Sequence, residues 1–414
     1  MITIQDFREF QAFNIERKRA QTQHDYVVAS IMEDVRREGD AALIRYAKRL
    51  DDLGDLPLQV SEDELAAAER AMCRPVRDAA QVAVRNIRQF AEAQLPRELF
   101  EEFSPGRKLG WIVRPLDAVG CYIPSGRYPL VSTLLMTAVL AQAAGVPRIC
   151  ITSPKASTEI LGCAQLLGIK EVYRMGGAQA IAAMAFGTST VARVDRIVGP
   201  GNAYVAAAKK LVAGEVGIDF VAGPTEIMIL AADGDAKVIA ADMLAQAEHD
   251  TDACAILVTC SERLAHAVRA ELEGQLRTLP TRDTAAQAID KNGRIYLVPD
   301  MNAAVLLANL WAPEHLSLHD ASLLPQIRNA GTVFLGQNSP ESAGDYAAGP
   351  SHVLPTLGGA RLRGGLSAAD FVKVIAIQQF SPSALQELSP AITVLARAEG
   401  LEAHARAVEV RSVQ

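Results

Sequence analysis

Glu226-Ile-Met-Ile-Leu-Ala231 is a short apolar run with β-branched residues, and Ala236 to Glu248 behind it is Ala-rich and helix-like, with Asp235 placed to cap its start. His249-Asp250-Thr-Asp252 then reads as a turn, and Ala253-Cys-Ala-Ile-Leu-Val-Thr259 as a second strand. Strand, helix and strand in succession make one unit of a parallel α/β layer. Within this unit Gln246 and His249 stand three residues apart at the helix end, so both can turn toward one point. That spacing suits an amide oxygen and an imidazole nitrogen gripping a metal ion, and it equally fits an ordinary solvated helix end.

The alternation continues on both sides of this stretch. Downstream come helix 261–276, strand Arg294 to Val298, helix 300–309 and strand Thr332 to Leu335. Upstream, Ala118 to Ile123, Arg148 to Thr152, Glu171 to Arg174, Asp195 to Val198 and Val216 to Phe220 read as strands, with helices near 131–144, 157–167, 178–186 and 202–213 between them. Residues 1 to about 105 show helical periodicity with polar outer faces, and the tail after about 365 reads as helices near 367–373, 382–388 and 389–410. The predicted fold is therefore α/β: two tandem Rossmann-like parallel-sheet units with a helical N-terminal region and a helical C-terminal tail. The expected divisions are 1–115, packing on the second unit, 116–222 and 223–365 for the two α/β units, and 366–414 for the tail.

Composition narrows the function. The 414 residues carry 41 Lys plus Arg against 48 Asp plus Glu, and no run of five like charges occurs, so neither a nucleic-acid surface nor a polybasic membrane patch is expected. A small-molecule partner fits better. The first residues bring charges in at once, unlike a signal peptide, and the six cysteines are scattered singly, which suits thiols in a reducing cytoplasm. Tyr128 to Pro147 is uncharged for 20 residues, the length of a membrane span, yet it is broken by Pro129, Ser132, Thr133, Thr137 and Gln142 and feeds a strand. It reads as a helix wrapping a buried sheet.

Ligand loops of parallel layers follow the carboxyl ends of strands, and the candidate motifs are expected there. Met175-Gly-Gly-Ala-Gln179 and Gly199-Pro-Gly-Asn202 set glycines just before helices, where free N–H groups can hold a pyrophosphate or simply form tight turns; no Gly-x-Gly-x-x-Gly occurs. Trp311-Ala-Pro-Glu314-His315 places a carboxylate and an imidazole side by side, able to share acid-base work or to be a plain surface pair. Glu341-Ser-Ala-Gly-Asp345-Tyr leads on to His352-Val-Leu-Pro-Thr356, and Glu399 and His404 stand on the last helical segment. Two His, an Asp and a Gln make an oxygen-and-nitrogen donor set suited to zinc.

Six motifs in order carry a resemblance: Arg196-Ile-Val-Gly-Pro-Gly-Asn-Ala-Tyr-Val205, Ala222-Gly-Pro-Thr-Glu226, Gln246-Ala-Glu-His249-Asp250, Ala312-Pro-Glu-His315, Ser342-Ala-Gly-Asp-Tyr346 and His352-Val-Leu-Pro-Thr356. From about residue 20 to the carboxyl end the chain resembles the histidinol dehydrogenase family. The resemblance implies a zinc-dependent, NAD-linked homodimer that oxidises an amino alcohol twice, L-histidinol through the aldehyde to L-histidine, in histidine biosynthesis. It implies that Gln246, His249 and Asp345 bind zinc together with His404 from the partner chain. Glu314 would activate water and His315 would act as acid-base on the alcohol. Tyr122, Gln179 and Asn202 would contact NAD, while Thr225, His352 and Glu399 would line the substrate site, which the four zinc-binding residues and His315 share.

Some positions depart from the family pattern. Ser125-Gly126-Arg127-Tyr128 replaces two glycines and a small residue, Thr225 stands where Ser is usual, and Ser351 where Asn is frequent. Two other readings follow: a paralogue acting on another alcohol, such as the anionic sulfopropanediol, which Arg127 could hold, and a non-catalytic zinc-binding relative.

Overall fold

The computed structural model describes residues 2–10, 13–14, 25–125 and 129–412, so Arg127 lies outside the described residues. The chain opens with β1 (Thr3–Asp6) and continues through helices α1 (Asp25–Glu38), α2 (Asp40–Leu50), α3 (Glu62–Ala71) and α4 (Arg74–Gln94). The hairpin strands β2 (Leu99–Ser104) and β3 (Arg107–Pro115) lead into the first parallel sheet. That sheet comprises β4 (Ala118–Tyr122), β5 (Arg148–Thr152), β6 (Glu171–Tyr173), β7 (Arg196–Val198) and β8 (Gly217–Ile218), in the spatial order β6-β5-β4-β7-β8. Helices α5 (Val131–Ala143), α6 (Thr158–Leu166), α7 (Gly177–Phe186) and α8 (Ala203–Val212) connect its strands.

The second sheet repeats the plan. It comprises β9 (Glu226–Leu230), β10 (Cys254–Thr259), β11 (Arg294–Leu297), β12 (His315–Leu318) and β13 (Thr332–Leu335), ordered β11-β10-β9-β12-β13, with β1 added parallel outside β11. Its connections are α9 (Ala236–Ala247), α10 (Glu262–Leu276), α11 (Arg282–Asn292) and α12 (Met301–Trp311). Both sheets thus run 3-2-1-4-5 from their own first strands, the order of a Rossmann half completed on the far side of the switch point. The cause is legible in β4, β9 and β10, which are buried along their whole length and apolar in nearly every residue, as strands covered on both faces must be. The uncharged stretch forms α5, buried at every residue from Thr133 to Ala141. No helix among the described residues is long and apolar enough to cross a membrane, and none of the six cysteines is in a disulfide.

Three expectations need correction. The N-terminal helices pack chiefly on the first unit: Val28, Met32 and Val35 of α1 share a cluster with Ala178 to Ala185 of α7, while Ala83, Ile87 and Ala91 of α4 share one with Leu134 to Ala141 of α5, and α4 meets the second unit through Asn86, which donates to the Ala347 carbonyl at 2.8 Å. Small side chains on both partners let those helices approach closely. From that region β1 pairs with β11 of the second sheet, and Phe10 packs among Met228, Tyr296 and Trp311. Second, the N-terminal region is not purely helical, because β1, β2 and most of β3 fall within it. Third, the tail is not all helix. Val372–Phe380 forms β14, paired antiparallel along β3, because Val372, Val374, Ile375 and Ile377 are β-branched and β3 offers them a free edge. After α13 (Glu341–Tyr346) and β14, the chain ends in α14 (Pro382–Ala398) and α15 (Glu402–Ser412), which pack on each other.

A buried ion pair secures the turn after β7. Lys209 on α8 and Asp219 are both almost wholly buried and in contact. Lys209 Nζ donates to the Gly199 carbonyl at 2.9 Å, and Asp219 Oδ2 accepts from the Gly199 N–H at 2.8 Å. Gly199 has φ +115°, and a Cβ there would lie 2.1 Å from the Tyr122 carbonyl oxygen, so no other residue fits. Removing one partner strands the other charge in the interior. Lys209→Met is therefore expected to cost about 3–5 kcal/mol, read as a lowered urea midpoint; a midpoint within error of the native protein would contradict this account of the turn.

Candidate active site

The amino ends of β9 and β12, which are neighbours in the second sheet, bring Thr225, Glu226, Glu314 and His315 together. Helix α12 ends at Ala312 in the left-handed region, φ +56°, and Pro313 then turns the chain into β12, so that Glu314 and His315 enter the sheet at its first position. Glu226 at the head of β9 reaches both of them through its backbone. Its N–H donates to Glu314 Oε2 at 2.8 Å, and its carbonyl lies 3.0 Å from His315 Nδ1.

That contact determines the tautomer of His315. A carbonyl can only accept, so Nδ1 carries the proton and Nε2 is left with its lone pair. Nε2 is buried, has no hydrogen-bond partner among the described residues and lies 3.9 Å from Asp345 Oδ1. Burial, above all, depresses the His315 pKa to about 4 against the pull of Asp345, which leaves a neutral imidazole at neutral pH. Burial likewise pushes Glu314 well above the usual carboxylate range, with Glu226 and Asp345 adding repulsion and the hydrogen bonds from Thr225 and the Glu226 N–H opposing it. A neutral imidazole with a free nitrogen and a basic carboxyl stand side by side.

Helix α13 packs against α9 and supplies the other wall. Glu341 and Asp345, four apart on α13, face Gln246 and His249, three apart at the end of α9, whose start Asp235 caps as its sequence suggested. His249 Nε2 lies 3.7 Å from Asp345 Oδ2, and one donor atom each from His249, Glu341 and Asp345 lie within 4.8 Å of one another. Burial would raise Asp345, but the contact with His249 and the nearby His315 and His352 hold it below its ordinary value. Burial raises Glu341 strongly, helped by Asp345, Glu314 and Asp242. Gly344 makes the packing feasible: a Cβ there would sit 2.8 Å from the ring of Phe334, which in turn stacks on His315 at 6.0 Å.

His352 is committed on both sides. Its Nδ1 lies 2.9 Å from the Asp345 carbonyl and its Nε2 3.1 Å from Thr133 Oγ1 on α5, so one ring ties the two α/β units together beside the cluster. Glu341 had stood in a quoted loop without a role, and no spacing rule marks a carboxylate that meets its partner across two helices.

The candidate cofactor residues gather elsewhere, at the carboxyl ends of β4, β6 and β7. Their side chains are engaged within the chain. Tyr122 Oη accepts from the Gly177 N–H at 3.2 Å, and Gln179 Nε2 donates to Asp51 Oδ2 at 2.9 Å. Asn202 caps α8 by accepting from the N–H groups of Tyr204 and Val205. Asp51, which sequence reading missed, also accepts from the Gly176 N–H at 2.9 Å, so a carboxylate already fills the start of α7 where a pyrophosphate had been considered. Glu399 and His404 are exposed on the C-terminal helix pair.

Comparison with known proteins places this geometry. The family model described as histidinol dehydrogenase matches residues 15–412. The chain belongs to the histidinol dehydrogenase family. It is 46% identical over 98% of its length, and 95% of the relative's, to histidinol dehydrogenase of Rhizobium meliloti. Identity to the Thermus thermophilus protein of the same name is 48% over 93% of this chain and 94% of that one. A crystal structure of histidinol dehydrogenase from Elizabethkingia anophelis superposes with a TM-score of 0.93 at 37% identity, covering 99% of this chain and 97% of that one. The two-sheet fold is therefore the fold of a histidinol dehydrogenase.

One carboxylate of this family member yields a pH test. Burial alone pushes Asp242 on α9 up to about 6. Between its ordinary value near 4 and about 6 the folded chain holds a proton that the unfolded chain has lost, so stability falls as pH rises through that window and levels off above it. Asp242→Asn is expected to remove this slope in the chelator-treated protein, leaving the variant about 2 kcal/mol more stable at pH 8 and only about 1 kcal/mol at pH 4.5. Urea midpoints at the two pH values decide it, and a pH-independent difference would count against the shift.

Proposed function

We propose that this chain, whose relatives are named histidinol dehydrogenase, is an NAD-linked dehydrogenase that oxidises L-histidinol through the aldehyde to L-histidine. The observation that carries the reading is His315 Nε2, a buried neutral nitrogen without a partner, beside the donor group of His249, Glu341 and Asp345. Four carboxylates, Glu226, Glu314, Glu341 and Asp345, crowd this point in a buried setting. A divalent cation relieves their repulsion, and donors of nitrogen and oxygen without thiolate suit zinc. Gln246, His249 and Asp345, with the partner subunit's His404, would hold it, and zinc would supply a seat for the substrate's nitrogens. NAD, the hydride acceptor, is assigned to the carboxyl ends of the first sheet near Tyr122, Gln179 and Asn202.

In this scheme His315 Nε2 takes the proton of the carbinol, because its Nδ1 is fixed as donor to the Glu226 carbonyl. Glu314, basic through burial, takes a proton from the water that adds to the aldehyde. Thr225 sits between Glu314 Oε2 and the Gln246 amide, 2.7 Å from each, and joins the base to the substrate seat. Exposed apolar side chains on the three-stranded sheet, Phe100, Phe103, Val374 and Ile375, and on α14, Val394 and Leu395, give these elements apolar surface for a second copy. A homodimer through this face would carry Glu399 and His404 toward the neighbour's site. The free thiols agree with a cytoplasmic protein.

NADH formation from histidinol, abolished by a chelator and restored by zinc, is the expected behaviour; turnover of sulfonated or carboxylated diols in preference to histidinol would favour the paralogue. His315→Ala should lower alcohol oxidation by about 10²–10⁴, whereas Glu314→Gln should impair oxidation of added aldehyde far more than its reduction to the alcohol. Equal losses in every half-reaction would contradict the division of roles. Mixing inactive His404→Ala and His315→Ala chains should regenerate part of the activity, and none after verified subunit exchange would speak for a site built within one chain.

A further inference from the structure

Glu341 is a side chain whose burial the scheme above does not explain. It is 3% exposed, its neighbours include Asp345, Glu314 and Asp242, and the closest imidazole nitrogen, His315 Nδ1 at 3.7 Å, is already committed to the Glu226 carbonyl. A buried carboxylate needs donors. Gln246, itself fully buried, provides them. Turned with its oxygen toward an ionised Glu341, the amide would set acceptor against acceptor. Turned with Nε2 toward Glu341, it donates to both carboxylate oxygens, at 3.1 Å to Oε2, and its oxygen lies 2.7 Å from Thr225 Oγ1, whose one hydroxyl proton it and Glu314 Oε2 compete to accept. An amide oxygen has two lone pairs, so with one on Thr225 the other remains open to a cation.

Resting on the zinc reading above, we infer that Glu341 is a positioning residue of the metal site: it holds Gln246 Nε2 and so presents the amide oxygen, not the nitrogen, to the ion. The packing of α13 on α9 serves two ends at once. Asp345 faces His249 across it, and Glu341, one turn earlier, faces Gln246. Partners of this kind orient metal ligands, and their loss typically weakens metal binding 10–100-fold.

The test measures zinc affinity of the purified full-length protein by competition with a chromophoric chelator, with urea midpoints to verify folding. Glu341→Leu removes the acceptor and is expected to weaken zinc binding about 10–100-fold. Glu341→Gln keeps an acceptor oxygen and should lose clearly less. Because the action runs through Gln246, Glu341→Leu added to Gln246→Ala should weaken binding no further than Gln246→Ala alone. Native affinity in Glu341→Leu, equal losses in the Leu and Gln variants, or additive losses in the double variant would each overturn the inference while leaving the zinc site standing. A native protein without tight zinc would overturn the zinc reading and the inference together. Should Glu341→Leu fail to fold, the same cycle built on Glu341→Gln and Gln246→Ala decides, additive losses again being the adverse result.

Discussion

The backbone of one residue, Glu226, supports the candidate site. Its N–H holds Glu314 and its carbonyl holds His315, at 2.8 and 3.0 Å, so a single peptide unit on either side of one Cα orients the carboxyl and sets the imidazole tautomer. Backbone groups do not change rotamer. The two side chains therefore inherit the stiffness of the central strand of a six-stranded sheet, β9, which is bonded to β10 on one side and β12 on the other. Register does the rest: His315 pairs with Ile227, one position in from Glu226, which places the two strand heads level.

The same sheet order is used in two ways. In the first unit the residues assigned to the cofactor lie beyond the carboxyl ends of the strands, as the general rule for open α/β sheets has it. In the second unit the candidate site sits at the opposite end. Short apolar strands make the sheet; what decides which end becomes a site is where polar groups are left inside, and at the amino end Glu226, Glu314, His315 and Glu341 are all buried. His352, held between Asp345 of one unit and Thr133 of the other, brings the two layers into register with each other.

Much of this was legible in the chain. Fully apolar strands alternating with Ala-rich helices betrayed both sheets, because parallel strands buried on two faces have no other composition. Gln246, His249, Glu314, His315, Asp345 and His352 were all picked out, and the fold brings them to one place. Three things were hidden. β14 draws its stability from β3, some 260 residues earlier, and mostly exposed residues carry no pattern that announces such a partner. Asp51 and Glu341 act on helices distant in sequence, so neither stands in a motif with its own partner. The side of the sheet on which Glu314 and His315 work depends on a left-handed alanine, Ala312, and no residue type signals that conformation there.

The first strand of the chain closes the last sheet. β1 precedes β11, its ladder partner among the described residues, by almost 290 residues, and β3 must likewise wait for β14. Until then both edges are exposed, and the second sheet cannot reach its full width on the ribosome before most of the polypeptide has left it. Sequence-distant pairing of this kind delays folding and couples the two layers into one late, cooperative step. The N-terminal strand is thus a strap, seated only once β11 has formed, on the sheet that carries Glu314 and His315.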